Sequence, residues 1–204
     1  PTIPEFPAKT SDKNPIYKIE QKGLKELLKR VSYAMSADEK RYVLNGLLLC
    51  LKEGKLTIVA TDGRRLALTD QELDFPKSGE REFILPAKAV LELQRLLGDK
   101  DEVAFALLEN QILFSFGQTE IAAKMVEGNY PNYRQVIPAD AKERVTLERE
   151  LFLNSVRRVA LLSSEKSNSV KLTFGKNNLE IAANTPDVGE AHESIPVQYK
   201  GKEF

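Results

Sequence analysis

One pattern of secondary structure occurs three times along the chain, and this repetition is the feature that most restricts its possible folds. In the first copy, a short alternating strand at Tyr17 precedes residues 21–35, where apolar residues recur at the spacing of a helix. Turn-forming residues such as Gly54 and Gly63 then separate three runs that are typical of strands. These runs are residues 43–52, 56–61 and 66–73. The repeated unit is therefore a strand, a helix and three strands.

The second copy follows directly and completes a domain of two similar halves. It consists of a strand at residues 82–85, a helix at 87–97, and strands at 103–108, 112–116 and 120–126. The pattern predicts an α+β fold with the helices on one face of antiparallel sheets. We expect the complete domain to span residues 15–140.

The third copy begins after the loop at residues 128–142, with a predicted helix at residues 151–162, and forms only the first half of a second domain. Here the repeat is visible in the letters, because GKLTIVAT at 54–61 matches KNNLEIAAN at 176–184 with one more residue in the turn. Half of such a domain would leave strand edges and an apolar face unpaired. We therefore expect residues 141–204 to be the first half of a second domain, and the chain to be a piece of a longer protein.

The composition narrows the functions that are open to the chain. Thirty Lys and Arg balance thirty Asp and Glu, so DNA binding would require a local basic face rather than a net charge. Cys50 is the single cysteine and lies in an apolar run, which predicts a reduced core residue. No apolar stretch approaches the roughly 18 residues that span a bilayer, and the first residues resemble neither a signal nor a transit peptide. We expect a cytoplasmic protein with no membrane partner.

Catalytic chemistry has little support in the sequence. His192 is the only histidine and lies in a polar, strand-like stretch, where we expect an exposed position. No Ser/His/Asp or Cys/His set, metal-binding cluster or phosphate-binding loop can be assembled. The sequence therefore predicts no catalytic residue, no metal and no cofactor. One alternative is a nucleic-acid-processing or hydrolytic enzyme with Asp62, Arg64 and Arg65 in an active loop, and another is a plain β-rich scaffold.

Four segments carry a resemblance to a known family. They are RYVLNG at residues 41–46, ATDGRRLA at 60–67, GNYPNYRQVIP at 128–138 and LLSSEK at 161–166. In this order and spacing they resemble the middle and third domains of the bacterial DNA sliding clamp, the beta subunit of DNA polymerase III. The resemblance covers nearly the whole chain and implies the DNA-clamp (processivity) fold. It also implies that residues 1–14 are the tail of the first domain and a linker.

The same resemblance implies a non-enzymatic processivity factor. In the family, three like domains per chain and two chains close a ring around duplex DNA, and the ring tethers the DNA polymerase, the clamp loader and other proteins that carry a clamp-binding peptide motif. By match to the family, Leu161 and Leu162 belong to the surface that joins the two subunits of this homodimer. The alternative is that they are core residues of the third helix.

The resemblance further implies a cleft in which the hairpin after residue 61 and the loop at residues 128–138 bind a short, apolar, extended peptide. The residues at the matching positions are Leu44, Thr61, Gly63, Arg64, Arg65, Leu66, Pro131, Tyr133 and Val136. Such residues offer apolar walls and charge-assisted hydrogen bonds. Gln135 stands where many members have Arg, which changes the contact expected with a ligand carboxylate. Taken singly, the hairpin fits a plain turn, and the loop fits a linker whose two tyrosines pack on a core.

Basic residues recur on the three predicted helices, which line the central hole in the family. Lys22, Lys25 and Lys29 lie on the face of the first helix opposite its leucines. Lys88 on the second helix and Arg41 in a loop match positions that face DNA in the family. Further basic residues on the second and third helices are Arg95, Arg157 and Arg158. The alternative is that each stripe is an ordinary solvated helix face.

Overall fold

The chain forms two units, Pro1–Val136 and Ile137–Phe204. A computed structural model describes residues 15–75, 79–139, 143–163, 169–186 and 189–204. The predicted tail at residues 1–14 and the predicted domain boundary at residue 140 lie outside the described residues. In the described part of the chain, no helix is long and apolar enough to cross a membrane.

The first unit contains two copies of the predicted strand, helix and three strands. The first copy comprises β1 (Ile16–Glu20), α1 (Gln21–Ser32), β2 (Gly46–Lys52), β3 (Lys55–Thr61) and β4 (Leu66–Glu72). The second comprises β5 (Arg81–Pro86), α2 (Ala87–Leu96), β6 (Glu102–Leu107), β7 (Gln111–Phe116) and β8 (Thr119–Lys124). The predicted order of helices and strands is confirmed in this unit.

The two copies exchange their first strands. One sheet has the order β4-β3-β2-β5 and the other has the order β1-β6-β7-β8, with antiparallel pairing throughout. The first strand of each copy therefore pairs with the second strand of the other copy. Because each four-stranded sheet needs a strand from the other copy, neither copy can complete a sheet alone.

The strand β2 is buried on both faces, which explains the uninterrupted apolar run around Cys50. Leu47, Leu49 and Leu51 face the main core of the unit. Leu48 and Cys50 face a second cluster on the opposite side of the sheet. Alternation of side chains along a strand produces this division. The predicted burial of Cys50 is confirmed.

The helix α1 covers the main core with one apolar face. Leu24, Leu27, Leu28 and Val31 follow helical spacing and are buried. Full burial of each such side chain contributes roughly 1.5–3 kcal/mol to stability. The helix packs on β3 and β4 and against α2.

The connection between α1 and β2 differs from the prediction. The helix ends at Ser32 instead of residue 35, and β2 begins at Gly46 instead of residue 43. The intervening residues form turns, in which the Leu44 N–H donates to the Arg41 carbonyl at 2.8 Å. The Asn45 side chain donates to the Ser36 carbonyl at 2.7 Å and holds the two ends of this connection together. The apolar periodicity thus extends beyond the regular elements because the turn also packs on the core.

The described part of the second unit contains the helix and the three following strands of one copy, and an isolated bridge between Thr146 and Gln198 stands in place of the first strand. It comprises α3 (Arg149–Ala160), β9 (Lys171–Gly175), β10 (Asn178–Thr185) and β11 (Gly189–Pro196), and the sheet order is β11-β10-β9. The Glu148 carboxylate caps the N-terminus of α3 by accepting hydrogen bonds from the N–H groups of Glu150 and Leu151. At the edge of β9 that does not pair with β10, Phe174 and Phe204 exchange two backbone hydrogen bonds, at 2.9 and 3.2 Å.

His192 lies on β11 between two carboxylates. Its Nδ1 is 3.0 Å from Glu180 Oε1 on β10, and its Nε2 is 3.6 Å from Glu190 Oε2. The hydrogen bond with Glu180 is the main cause that raises the pKa of His192, and Glu190 acts in the same direction. The side chain is exposed, and the predicted position in an exposed strand is confirmed.

We predict that the stability of the β10 and β11 pair depends on the protonation of His192. Because the folded state raises the pKa of the imidazole, the stabilisation is fully present below its unfolded pKa of about 6.5. It is lost as the pH rises through the raised value. An NMR titration of the single histidine checks this, and Glu180→Gln should lower the measured pKa. The control is Glu193→Gln, because Glu193 binds Arg158 on the opposite face of β11, and an equal change in both variants would contradict the prediction.

Candidate functional site

The turn between β3 and β4 is held by its own side chains. Asp62 Oδ1 accepts hydrogen bonds from the N–H groups of Arg64 at 2.9 Å and Arg65 at 3.1 Å. These two bonds are the main cause that lowers the pKa of the Asp62 carboxyl. Thr61 Oγ1 accepts from the Gly63 N–H at 3.1 Å and donates to the Arg65 carbonyl at 2.7 Å. Gly63 has φ of +86°, which favours glycine, so the TDG sequence fits a tight hairpin turn.

The two arginines of this turn have different surroundings. The Arg65 Nε is 3.2 Å from Asp62 Oδ2, and the guanidinium lies 5.6 Å from the centre of the exposed Tyr33 ring. Arg64 is exposed, and no salt bridge to it is found among the described residues. Arg41 also reaches the turn, since it donates to the Asp62 carbonyl at 3.1 Å. The hairpin therefore presents an exposed cation at Arg64 and a tethered one at Arg65.

The loop after β8 is anchored by two tyrosines. Tyr133 is only 6% exposed and belongs to the second cluster, together with Leu48, Cys50, Val59 and Ile84. Tyr130 is partly buried and packs against the same cluster. Tyr133 also begins a short 3-10 helix, Tyr133–Gln135, and the Arg134 guanidinium lies 5.0 Å from the centre of its ring. The burial of both tyrosines fits the alternative of a loop packed on a core, and the role of Tyr133 in a cleft stays a prediction.

The hairpin and the loop meet on the second cluster. The Tyr130 hydroxyl accepts a hydrogen bond from the Thr61 N–H at 3.0 Å, and Leu66 packs against the same cluster. Gly128 at the start of the loop has φ of +128°, and a Cβ there would lie 2.8 Å from a methyl group of Val43. A side chain at this position would therefore force the Val43 side chain to shift, so Gly128 lies closely against the segment at residues 41–46. Three of the four motif segments thus converge in the first unit.

The remaining predicted cleft residues offer a partly open apolar surface. Leu44 and Leu66 are half-buried, Pro131 is exposed, and the Val136 side chain is 68% exposed. No described interaction joins Leu44, Pro131 and Val136 to one another. Gln135, adjacent to Val136, is exposed. The chemistry available here is apolar contact next to the cation of Arg64.

A cavity bordered by the loop was not predicted, although two predicted cleft residues, Pro131 and Tyr133, are among its lining residues. It has a volume of about 600 Å³ and is bordered by β5, the end of β8 and the loop. Its wall includes the carboxylates of Glu82, Glu109 and Glu127 and the guanidinium of Arg134. Cys50 is buried in the second cluster with Leu48, and burial raises the pKa of its thiol to about 12, with Glu82 acting in the same direction. The thiol is therefore protonated and unreactive in the folded protein.

The predicted DNA-facing residues do not form one uniform set. Lys22, Lys29 and Lys88 are exposed, and no salt bridge of theirs is found in the described ranges. Lys25 is only partly exposed, and its Nζ donates to the Leu97 carbonyl at 2.7 Å, at the C-terminal end of α2. The ammonium group of Lys25 thus caps the end of α2, and its predicted position facing DNA stays a prediction.

Three other basic residues, Arg41, Arg95 and Arg158, are paired with carboxylates. Arg41 lies 3.9 Å from Asp38 in addition to its contact with the hairpin. Arg95 binds Glu92 at 2.7 Å, and Arg158 binds both carboxylate oxygens of Glu193. Arg157 is exposed. At several positions on the helices, the basic side chain therefore pairs with a carbonyl or a carboxylate of the folded chain.

The two leucines after α3 differ in exposure. The Leu161 side chain is 81% exposed, so it is not a core residue. Leu162 is half-buried, and its carbonyl accepts a hydrogen bond from Thr185 Oγ1 at 2.7 Å. Residues 164–166, which complete this motif, lie outside the described residues.

The first unit has two similar halves that exchange their first strands, and its helices pack on the sheets. This arrangement defines the DNA-clamp fold. The family model for the central domain of the DNA polymerase III beta subunit matches residues 18–132, and the model for its C-terminal domain matches residues 134–204. The chain therefore belongs to the DNA polymerase III beta subunit family, the bacterial sliding clamps.

Individual relatives agree with this membership. The beta sliding clamps of Chlamydia pneumoniae and Pseudomonas aeruginosa are each 36% identical, over 97% and 98% of the chain. A crystal structure of the Pseudomonas aeruginosa clamp superposes with a TM-score of 0.89 at 35% identity, covering 97% of this chain and 54% of that one. A Bartonella birtlesii clamp bound to griselimycin has a TM-score of 0.87 at 34% identity, covering 97% and 55%. The chain spans about half the length of the curated relatives, 54% in both cases.

We predict that Asp62→Ala loosens the hairpin without unfolding the domain. The variant removes the acceptor for the N–H groups of Arg64 and Arg65, which are exposed. Hydrogen exchange at these two amides should become faster, while the thermal midpoint changes little. Because the pKa of Asp62 is lowered, the wild-type hairpin should loosen only as the pH falls through that lowered value.

The control is Asp70→Ala, which removes an exposed carboxylate from β4 in the same hairpin. This variant should leave exchange at the turn unchanged. Similar acceleration in both variants would show that the Asp62 carboxylate does not hold the turn.

Proposed function

We propose that the chain is part of a ring-shaped processivity factor that encircles duplex DNA and tethers a DNA polymerase and other proteins through a peptide-binding surface. Membership of the sliding clamp family is the observation that carries this proposal. The anchored hairpin and loop support it, because a rigid surface binds a short peptide with a smaller loss of conformational entropy. The clamp loader, the polymerase and the homodimeric ring are proposed for the whole protein.

The proposed peptide site combines apolar contact with a cation. Leu44, Leu66, Pro131 and Val136 would supply the apolar contacts. Gly63 would leave space for the backbone of an extended ligand, and Arg64 would bind a carbonyl or a carboxylate. Thr61 and Arg65 would shape the hairpin through their bonds within it. Tyr133 would support the loop from beneath, because it is buried.

The neutral side chain of Gln135 gives this site a selectivity of its own. An amide can donate a hydrogen bond to a ligand carboxylate but cannot form an ion pair with it. We therefore propose that the peptide is held more by its apolar residues than by an acidic residue opposite Gln135. Griselimycin is bound to the clamps of Pseudomonas aeruginosa and Bartonella birtlesii in solved structures, and this chain is 35% and 34% identical to those clamps.

The proposed contact with DNA is electrostatic and loose. Lys22, Lys29 and Lys88 are the exposed cations that could approach phosphates. Lys25 and Arg41 already donate to backbone carbonyls, so we propose a smaller contribution from them. Each phosphate contact adds about −0.9 to the slope of binding against salt, so few fixed contacts suit a ring that slides.

We further propose that the protein is not an enzyme and needs no metal or cofactor. Asp62 and Arg65, which could have formed an active loop, hold each other and the turn. In the residues that the structure describes, no group of three or more His, Cys, Asp or Glu could hold a metal ion. A metal-dependent nuclease or hydrolase would need such groups at its site.

We predict that Leu66→Ala weakens peptide binding, because Leu66 is a half-buried apolar residue at the junction of hairpin and loop. The loss of affinity for a Gln-Leu-Asp-Leu-Phe peptide should be about 1 to 2 kcal/mol, as for interface residues that carry binding energy. The measurement is a calorimetric titration of the full-length protein. Lys88→Ala is the control and should bind as wild type, since Lys88 lies on α2. Equal losses in the two variants would place the peptide site elsewhere.

We predict that Leu161→Ser together with Leu162→Ser converts the full-length dimer to monomers. Leu161 is 81% exposed, and an exposed leucine next to a half-buried one fits a surface that a second subunit covers. Analytical ultracentrifugation measures the change. Leu68→Ser is a matched control, because Leu68 is an exposed leucine on β4. A double variant that stays dimeric at the same concentrations as wild type would refute the assignment.

A further inference from the structure

The only hydrogen bond described between the hairpin and the loop uses the hydroxyl of Tyr130. Thr61 ends β3, and its N–H donates to this hydroxyl at 3.0 Å. Thr61 is also the residue whose hydroxyl binds both Gly63 and Arg65. A restraint on Thr61 therefore extends to the whole turn, although Tyr130 contacts only its first residue.

Tyr130 is itself fixed in place. Its ring packs on the second cluster, and burial raises the pKa of its hydroxyl to about 12, so the group is neutral at physiological pH. On one side, Gly128 lies against Val43, and on the other, Tyr133 is buried in the same cluster. Because the loop is held on both sides of Tyr130, we expect the hydroxyl to be a rigid acceptor.

We propose that Tyr130 is a positioning residue that couples the loop to the hairpin and so pre-forms the peptide-binding surface. The inference rests on the proposed function of that surface. Pro131 on the loop and Leu66 after the turn would contact one ligand, and binding is tighter when such groups need no ordering. Tyr130 acts through Thr61 and need not touch the peptide. This role goes beyond the predicted cleft residues, which do not include Tyr130.

The coupling is reciprocal. If the hydroxyl holds hairpin and loop in the binding geometry, then a bound peptide must in turn stabilise the bond between Tyr130 and Thr61. The Thr61 amide should therefore exchange more slowly in the peptide complex than in the free protein. A residue that only contributes to the core would not transmit this effect.

The test uses Tyr130→Phe in the full-length protein. Phenylalanine keeps the ring in the cluster and removes only the acceptor for the Thr61 N–H. We expect affinity for the Gln-Leu-Asp-Leu-Phe peptide to fall roughly three- to tenfold, the size that corresponds to one net hydrogen bond. Exchange at the Thr61, Gly63 and Arg64 amides should become faster at temperatures well below unfolding, and the peptide should slow it less than in wild type.

The control is Tyr17→Phe. Tyr17 donates its hydroxyl to the Gly79 carbonyl in the main core, so the variant also removes one buried tyrosine bond from the same unit. This variant should lower the thermal midpoint and leave both the peptide affinity and the exchange at the hairpin unchanged. It thereby separates a general loss of stability from a loss of positioning.

Each outcome decides the proposal. Weaker binding and faster hairpin exchange in Tyr130→Phe alone support the positioning role. A lower thermal midpoint with wild-type affinity and wild-type exchange overturns it, as does an equal loss of affinity in Tyr17→Phe. If the wild-type protein binds no peptide, the proposed function fails, and the role of Tyr130 in binding is overturned with it. Hydrogen exchange at the Thr61 amide still decides whether the hydroxyl couples the hairpin to the loop.

Discussion

The exchange of first strands between the two halves is the constraint on which the first unit depends. β1 completes the sheet of the second half, and β5 completes the sheet of the first half. The main core lies under both sheets and both helices, so it forms only when the two halves combine. This arrangement leaves β2 and β3 in the interior of one sheet, with apolar side chains on both faces.

Burial on both faces of the sheet allows the second cluster to support the loop and the hairpin. A sheet that was solvated on its outer face would present polar side chains there. Here β2 and β5 instead present Leu48, Cys50 and Ile84, and the loop after β8 covers them with Tyr133. The proposed binding surface is thus an extension of the core, because the same cluster that fixes the loop also supports Leu66. Its geometry is set by the strand pairing beneath it.

Much of the fold could be predicted from the sequence, because helices and strands have different periods and turns have recognisable residues. The partners of the strands could not, since alternation along β1 or β5 shows which face is buried but not which strand lies alongside. The same limit applies to the candidate site. The position of Arg64 in the hairpin was predictable, whereas the helix-capping bond of Lys25 and the burial of Tyr133 depend on residues that are distant in sequence. Nothing in the sequence distinguishes Tyr130 from another loop tyrosine, because its hydroxyl contacts Thr61, which is distant in sequence.

The burial of Cys50 has a consequence for experiments on this protein. The chain has one cysteine, and it lies 2% exposed behind the loop, with a thiol pKa of about 12. A thiol reagent at neutral pH can therefore react only after the loop has lifted or the sheet has opened. The rate of alkylation in native buffer would thus measure how often this face of the first unit opens. The buried thiol of this chain can therefore report on that motion without an engineered label.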